Sequence, residues 1–364
     1  MLKTYFIFTL GCQMNVSDSE RIEAVLEKCG LNPGDEKSAD LIIVNACSVR
    51  QKPIDRIWGK LRVWQKINPQ AKRILTGCVL SNDLKKLTTK FDFCFKIEDL
   101  KDFSWWVKKS LDPTNLDKKK NYLELKPKRL DKKIAYIPIM TGCNNFCSYC
   151  VVPYTRGKEW SRDLRAIVEE VRCLVKKGHK EIMLLGQNVC SYSCQQTAAS
   201  RQLKANGFVG LLNQLVKIPG DFKISFMSPH PKDFSDELID LIAEEPKISK
   251  QIHLPLQSGD DKVLQKMNRH YTTKEFLKLV DKMRNAIFDL EISTDIIVGF
   301  SGESKKEFQN TVNLAKKCRF NKAYVSVYSP RSGTMADKKF RDDVSMAEKK
   351  RRWLVLDQLI NRQN

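Results

Sequence analysis

Three cysteines fall within one short stretch, Thr141-Gly142-Cys143-Asn144-Asn145-Phe146-Cys147-Ser148-Tyr149-Cys150, spaced C-x₃-C-x₂-C. Thiolates are soft ligands that suit iron–sulfur clusters or zinc. A closed site normally takes four protein ligands, and no fourth Cys or His lies close in sequence. Three ligands leave one iron of a cluster open for a substrate or cofactor. The alternative is a zinc ion completed from afar by His179, His230, His253 or a remote Cys.

A second set is spread out but shares a context. Cys12 follows Phe8-Thr9-Leu10-Gly11, Cys47 follows Ile43-Val44-Asn45-Ala46, and Cys78 follows Leu75-Thr76-Gly77. Each closes an apolar run of strand type. In an open α/β sheet the C-terminal strand ends share one edge, where ligands bind, so three such cysteines can converge. The alternative is three core cysteines, a common fate for this residue.

The elements that must hold these residues read as α/β. Strands are expected at Tyr5–Leu10, Leu41–Val44 and Arg73–Thr76, with a helix over Ser17–Cys29 opened by a Ser17/Glu20 capping box. Strand–helix alternation predicts a parallel sheet covered by helices. From Lys108 to Lys133, ten Lys/Arg face four acids, with Pro113 and Pro127, as in an exposed basic connection. Alternation then resumes with strands expected at Ala135–Met140, Glu181–Leu185, Lys223–Met227, Gln251–Pro255, Ile292–Val298 and Ala323–Tyr328. Helices are expected at Arg162–Lys177, Phe208–Lys217, Ser235–Glu244, Thr273–Ile287 and Lys305–Cys318, and a charged helix, Ser345–Ile360, closes the chain. Because βαβ crossovers are right-handed, six such units curl into a partial (βα)6 barrel whose active site sits at the strand C-terminal ends. The fold class is an N-terminal open parallel α/β domain (1–116), a basic linker (117–133) and a barrel domain with a C-terminal helix (134–364).

The 364-residue composition is globular, at 42% hydrophobic and 29% charged, which excludes a largely disordered chain. A net charge of +21 favours a polyanionic partner such as RNA, or reflects Lys-rich solvated surfaces. No run approaches the ~20 apolar residues of a membrane span, and Tyr5–Leu10 is too short for a signal-peptide core. The protein reads as cytoplasmic, where reduced thiols mean metal more often than disulfide.

The Cys143–Cys150 segment resembles the signature of radical S-adenosylmethionine enzymes. Gly11-Cys12-Gln13-Met14-Asn15, Asn45-Ala46-Cys47-Ser48-Val49-Arg50 and Gly77-Cys78-Val79 resemble the amino-terminal motifs of the methylthiotransferases among them. The likeness continues through Cys150-Val151-Val152-Pro153-Tyr154-Thr155-Arg156-Gly157, Ser161-Arg162 and Leu184-Leu185-Gly186-Gln187-Asn188-Val189. It extends to Ser228-Pro229-His230-Pro231, His253–Gly259 and Asp295-Ile296-Ile297-Val298-Gly299-Phe300. This covers nearly the whole chain, and the Val-Val-Pro-Tyr-Thr-Arg-Gly tail is most similar to the branch acting on N6-dimethylallyladenosine in tRNA.

The resemblance implies two [4Fe-4S] clusters. Cys143, Cys147 and Cys150 would hold the one whose open iron takes S-adenosylmethionine, and Cys12, Cys47 and Cys78 an auxiliary one used in sulfur insertion. Tyr149, Gly186, Gln187, Asn188 and Gly299 would lie at the cofactor. No side chain is expected as a catalytic acid or base, since the chemistry belongs to the clusters. One S-adenosylmethionine would methylate a cluster-associated sulfur, and reductive cleavage of another would give the radical that activates C2 of the adenosine at tRNA position 37. The implied partners are the tRNA anticodon stem-loop and an electron donor such as flavodoxin or ferredoxin, with a monomer expected. The same chemistry on threonylcarbamoyladenosine or a ribosomal-protein aspartate, and a non-catalytic electron-transfer protein, are the other readings. Ala46 stands where Thr is usual and Ser301 where Pro is. Family members continue into a small β-barrel RNA-binding domain (TRAM) where this sequence stops at Asn364, so the chain is expected to lack it, with RNA affinity the property affected.

Of the remaining cysteines, Cys29, Cys94, Cys173 and Cys318 read as structural, and Cys190/Cys194 as a coincidental C-x₃-C pair. Trp58, Trp64, Trp105 and Trp106 read as packing before base stacking. Gly299 and Gly302 read as giving backbone access beside the cofactor.

Overall fold

The computed structural model describes residues 2–108, 121–193 and 207–362. The chain forms two compact units: one of Met1–Lys132 with Val151–Gly157 and Arg331–Gly333, the other of the remainder.

The first unit is built on strands β1 (Thr4–Thr9), β2 (Asn32–Pro33), β3 (Leu41–Cys47), β4 (Lys72–Cys78) and β5 (Phe93–Cys94). All pair in parallel, in the order β2-β1-β3-β4-β5. Helices are α1 (Gln13–Lys28), α2 (Gln51–Ile67), α3 (Ser81–Leu87), α4 (Leu100–Lys108) and the single turn α5 (Val152–Thr155). Every residue of β3 is buried, as a central parallel strand covered on both faces requires. Ile54, Ile57, Leu61 and Trp64 of α2 pack on Ile42, Val44 and Leu75. Trp64 is fully buried and meets Phe8 edge-on with ring centroids 5.6 Å apart.

The helix after β1 begins four residues before the expected Ser17. Cys12 is its N-cap and Asn15 Oδ1 accepts from the Cys12 N–H, so Ser17 and Glu20 lie inside the helix rather than forming a capping box. The described part of the basic segment also departs from an exposed connection. Residues 121–132 pack along α1, where Leu123 O accepts from Arg21, the Tyr122 hydroxyl donates to Asp18, and Arg129 pairs with Glu20. Residues 109–120 of that segment lie outside the described residues.

The second unit carries β6 (Ile134–Pro138), the hairpin strands β7 (Met140–Thr141) and β8 (Trp160–Ser161), then β9 (Glu181–Leu185), β10 (Lys223–Phe226), β11 (Gln251–His253), β12 (Glu291–Val298) and β13 (Lys322–Val327). The helices are α6 (Leu164–Lys176), α7 (Gly207–Val216), α8 (Asp236–Glu244), α9 (Asp261–Lys266), α10 (Thr273–Ala286), α11 (Lys305–Cys318), α12 (Met335–Lys339) and α13 (Met346–Asn361). Strands β6-β9-β10 and β11-β12-β13 form two parallel sheets, joined by a parallel bridge between Ile224 and Ile248. This is the partial (βα)6 barrel anticipated from the alternation. One core unites the inward residues of its strands with α6, α7, α8, α10 and α11. The closing helix α13 is less solvated than its charge suggests. Lys349 and Arg352 are buried, with Arg352 paired to Glu303 and Lys349 to Asp342.

Two thiol-rich loops at strand C-terminal ends

In the first unit the order β2-β1-β3-β4-β5 reverses direction between β1 and β3, and that crevice is where doubly wound sheets bind ligands. Cys12 follows β1, Cys47 ends β3, and Cys78 ends β4 directly opposite Cys47 in register. The loop carrying Cys12 lies on Cys47 so closely that a Cβ at Gly11 would come within 2.9 Å of the Cys47 Cβ. Gly77 has φ 99° and its missing Cβ would stand 2.4 Å from the Ala46 carbonyl, so glycine alone lets β3 and β4 meet there. The three sulfurs are near enough to influence one another electrostatically. The N-terminus of α1 begins at Cys12, a favourable place for an anionic group.

Buried polar residues that motif reading passed over hold this loop set. Asn15 Nδ2 donates to Asn45 Oδ1 and to the Ala46 carbonyl, and Asn45 Nδ2 returns a bond to the Asn15 carbonyl and another to Ser19 Oγ. Arg156, just past α5, donates Nε–H to Cys78 Sγ at 2.9 Å, Nη1 to the Tyr122 hydroxyl at 3.0 Å, and Nη2 to Asp18 at 2.6 Å. Burial raises the Cys78 thiol to about 12, against the pull of the Arg156 charge, and burial raises Cys47 as well. Burial opposes the Arg156 charge, but Asp18 and Cys78 hold its pKa above the usual value. Asn15 and Asn45 sit inside the cysteine motifs, the one signal that could have singled them out.

In the second unit, Cys143, Cys147 and Cys150 occupy the loop after β7. Its backbone is fixed from several sides. Cys150 N–H donates to the Cys147 carbonyl, Ser148 N–H to the Met267 carbonyl, and Ser148 Oγ to the Lys266 carbonyl at 2.7 Å. Asn268 Nδ2 donates to the carbonyls of Asn145 and Phe146. Buried Arg269 donates Nη1 to Cys147 Sγ at 3.4 Å, Nε to the Tyr271 hydroxyl and Nη2 to the Pro255 carbonyl. Burial raises the Cys143 thiol. Tyr149 is half-buried against Val263, Met267, Phe300 and Tyr328.

The remaining sequence-derived cofactor residues divide. Gln187 keeps a buried Oε1 without a partner among the described residues. Asn188 is committed to the scaffold: its Oδ1 accepts from the His230 N–H and its Nδ2 donates to Asp233. Gly186 faces Met140, whose Cγ would lie 2.6 Å from an added Cβ. Gly299, at φ 68°, makes room for the stem of Lys349, and its N–H donates to Glu303 at 2.6 Å. That crowding accounts for the glycine without a cofactor.

The histidines raised as distant zinc ligands separate as well. His179 precedes β9, at the opposite strand ends from the cysteine loop, and His253 uses both ring nitrogens on Ser293 and Asp295. His179 and His230 each keep a buried Nε2 without a partner among the described residues, and burial depresses the His230 pKa to about 2. Among the described residues, no three His, Cys, Asp or Glu side chains gather as ligands of a single ion do. Two sets of three thiols at strand ends, each touched by an arginine, offer the soft sulfur donors that iron–sulfur clusters take.

Among the background residues, Cys318 is buried, while Cys173 is exposed on α6 rather than packed on an apolar face. Cys190 packs half-buried on the barrel core, and Cys194 lies outside the described residues. Trp58 joins the α2 core and Trp106 stacks on Phe93 at 5.1 Å; the side chain of Trp105 lies outside the described residues. No helix among the described residues is long and apolar enough to cross a membrane.

Comparison with known proteins bears on both units. Residues 137–315 match the Radical SAM superfamily, and residues 4–95 match Uncharacterized protein family UPF0004. The tRNA-2-methylthio-N(6)-dimethylallyladenosine synthase of Thermotoga petrophila is 39% identical over 369 residues, covering 99% of this chain and 82% of its own length. That of Clostridium novyi is 40% identical over 376 residues, covering 99% and 81%. Among solved structures, the radical S-adenosylmethionine methyltransferase TsrM of Kitasatospora setae, with cobalamin and a [4Fe-4S] cluster bound, superposes with TM-score 0.65 at 14% identity. That match covers 93% of this chain and 77% of TsrM, a likeness of fold.

Proposed function

Because the chain belongs to the tRNA-2-methylthio-N(6)-dimethylallyladenosine synthase family, we propose that it is a transferase that adds a methylthio group to C2 of N6-dimethylallyladenosine at position 37 of tRNA. The observation that carries this reading is the pair of three-cysteine sets, one at the switch point of an open sheet and one at the mouth of a partial barrel. An aromatic C–H of this kind offers no acid–base route, which is why a radical is employed.

Bound S-adenosylmethionine and two [4Fe-4S] clusters supply the reducing electron, the radical and the methylthio group. The chain's own residues bind and orient. Cys143, Cys147 and Cys150 would hold one cluster through three thiolates and would let it bind S-adenosylmethionine, while Arg269 steadies Cys147. Tyr149 offers a half-buried aromatic surface beside that loop, and Gln187 an unused acceptor at the end of β9. Cys12, Cys47 and Cys78 provide the auxiliary set in the domain of residues 1–116. The reading includes a cytoplasmic monomer that draws electrons from a flavodoxin- or ferredoxin-like donor. The +21 charge supports the tRNA partner.

Nucleoside mass spectrometry of tRNA from a strain deleted for this gene tests the proposal. The 2-methylthio nucleoside should vanish while N6-dimethylallyladenosine accumulates. Persistence of the methylthio product in a strain with no paralogue contradicts the assignment.

A further inference from the structure

Arg156 belongs to the stretch that leaves Cys150, yet it is packed into the first unit, where its guanidinium meets Cys78. The placement is built rather than incidental. The turn Val152–Thr155 ends with the Arg156 N–H bonded to the Val152 carbonyl, and Gly157 at φ 72° then redirects the chain. The side chain that emerges is 2% exposed, and its partner Asp18 is fully buried. Asp18 and the Tyr122 hydroxyl hold the two Nη atoms, which leaves the Nε–H aimed at Cys78 Sγ. Because Asp18 balances the charge at 2.6 Å, what Cys78 receives is mainly one directed hydrogen bond.

A donor to a cluster-bound sulfur delocalises negative charge and favours the reduced cluster, so it raises the reduction potential. Resting on the assignment of Cys12, Cys47 and Cys78 to an auxiliary cluster, we infer that Arg156 is a positioning residue for it. The Nε–H fixes the Cys78 thiolate and raises that cluster's potential, with Asp18 and Tyr122 setting the guanidinium's angle. The same motif that carries the third radical-cluster cysteine thereby governs the electron affinity of the other cluster.

The test uses the full chain with Cys143, Cys147 and Cys150 all changed to Ala, reconstituted without oxygen, so that only the auxiliary cluster contributes to the paramagnetic signal. Iron analysis of this parent comes first. About four irons per chain is the expected content; a parent that binds none overturns the auxiliary-cluster reading itself. Redox titration followed by electron paramagnetic resonance then compares Arg156→Lys, Arg156→Gln and the double change Asp18→Asn with Arg156→Gln. Arg156→Lys keeps the charge beside Asp18 but loses the Nε–H. The double change removes both charges together, leaving the net charge of the site unaltered. All three should shift the midpoint to more negative values at undiminished iron content. A midpoint equal to the parent's in Arg156→Lys, or restored in the double variant, assigns the effect to charge alone and overturns the inference while the auxiliary cluster stands. Should Arg156→Gln fail to fold, Arg156→Lys carries the comparison.

Discussion

At the scale of single residues, the two cysteine sets were legible and the residues packed around them were not. The six cysteines proposed to hold clusters announce themselves by spacing or by shared context, because ligation would need specific atoms at specific places. The residues that hold them, Arg156, Asp18 and Arg269, are distant in sequence from the sulfurs or partners they serve, and no local pattern reports such a contact. Changing Cys147 to Ala should abolish formation of 5′-deoxyadenosine from S-adenosylmethionine under reductant, measured by chromatography; undiminished formation would show that the loop does not hold the reactive cluster. His230 offers a pH test. Its pKa of about 2 in the folded protein lies far below the ordinary 6.5, so the unfolded chain takes up the proton first as pH falls. Stability should therefore drop below pH 6.5, by up to about 1.4 kcal/mol per pH unit from this group alone. Urea titrations across pH 7 to 5 should give a shallower decline for His230→Asn, and parallel profiles would contradict the assignment of a neutral buried imidazole.

At the scale of elements, periodicity located the helices and strands, and β9 falls on Glu181–Leu185 as expected. It misplaced the start of α1. Ser17 and Glu20 read as a capping box, but the cap is Cys12 with Asn15, and the interior of α1 carries buried Asp18, Glu20 and Arg21 whose partners outside the helix include residues from 122–156. Nor could the sequence show that Gly77 is required by the approach of β3 to β4. Gly77→Ala should part the strand ends that carry Cys47 and Cys78. Iron should fall from about eight to about four per chain, with 5′-deoxyadenosine formation retained; an unchanged iron content would show that the close approach is dispensable. The last helix makes a comparable tie. Arg352 donates to the Glu303 carboxylate at 2.7 Å with both side chains nearly inaccessible. Arg352→Met should cost about 3–5 kcal/mol by stranding that carboxylate, read as a lowered urea midpoint. A loss below 1 kcal/mol would mean that solvent reaches the pair.

At the scale of the whole molecule, two α/β units each place three thiols at strand C-terminal ends, and the sequence patterns anticipated both architectures. The surplus of Lys and Arg gives the chain a long-range attraction for a polyanion, so its affinity for tRNA should fall steeply with salt, as counterion release demands. Fluorescence anisotropy with a labelled anticodon stem-loop would show this, and a salt-independent affinity would argue against an electrostatic tRNA surface. The most direct measurement combines the parts. The oxygen-free, fully loaded chain is given S-adenosylmethionine, a reductant and a stem-loop RNA carrying N6-dimethylallyladenosine, and the RNA is digested for mass spectrometry. The account predicts the 2-methylthio nucleoside together with 5′-deoxyadenosine; unmodified RNA beside abundant 5′-deoxyadenosine would contradict it.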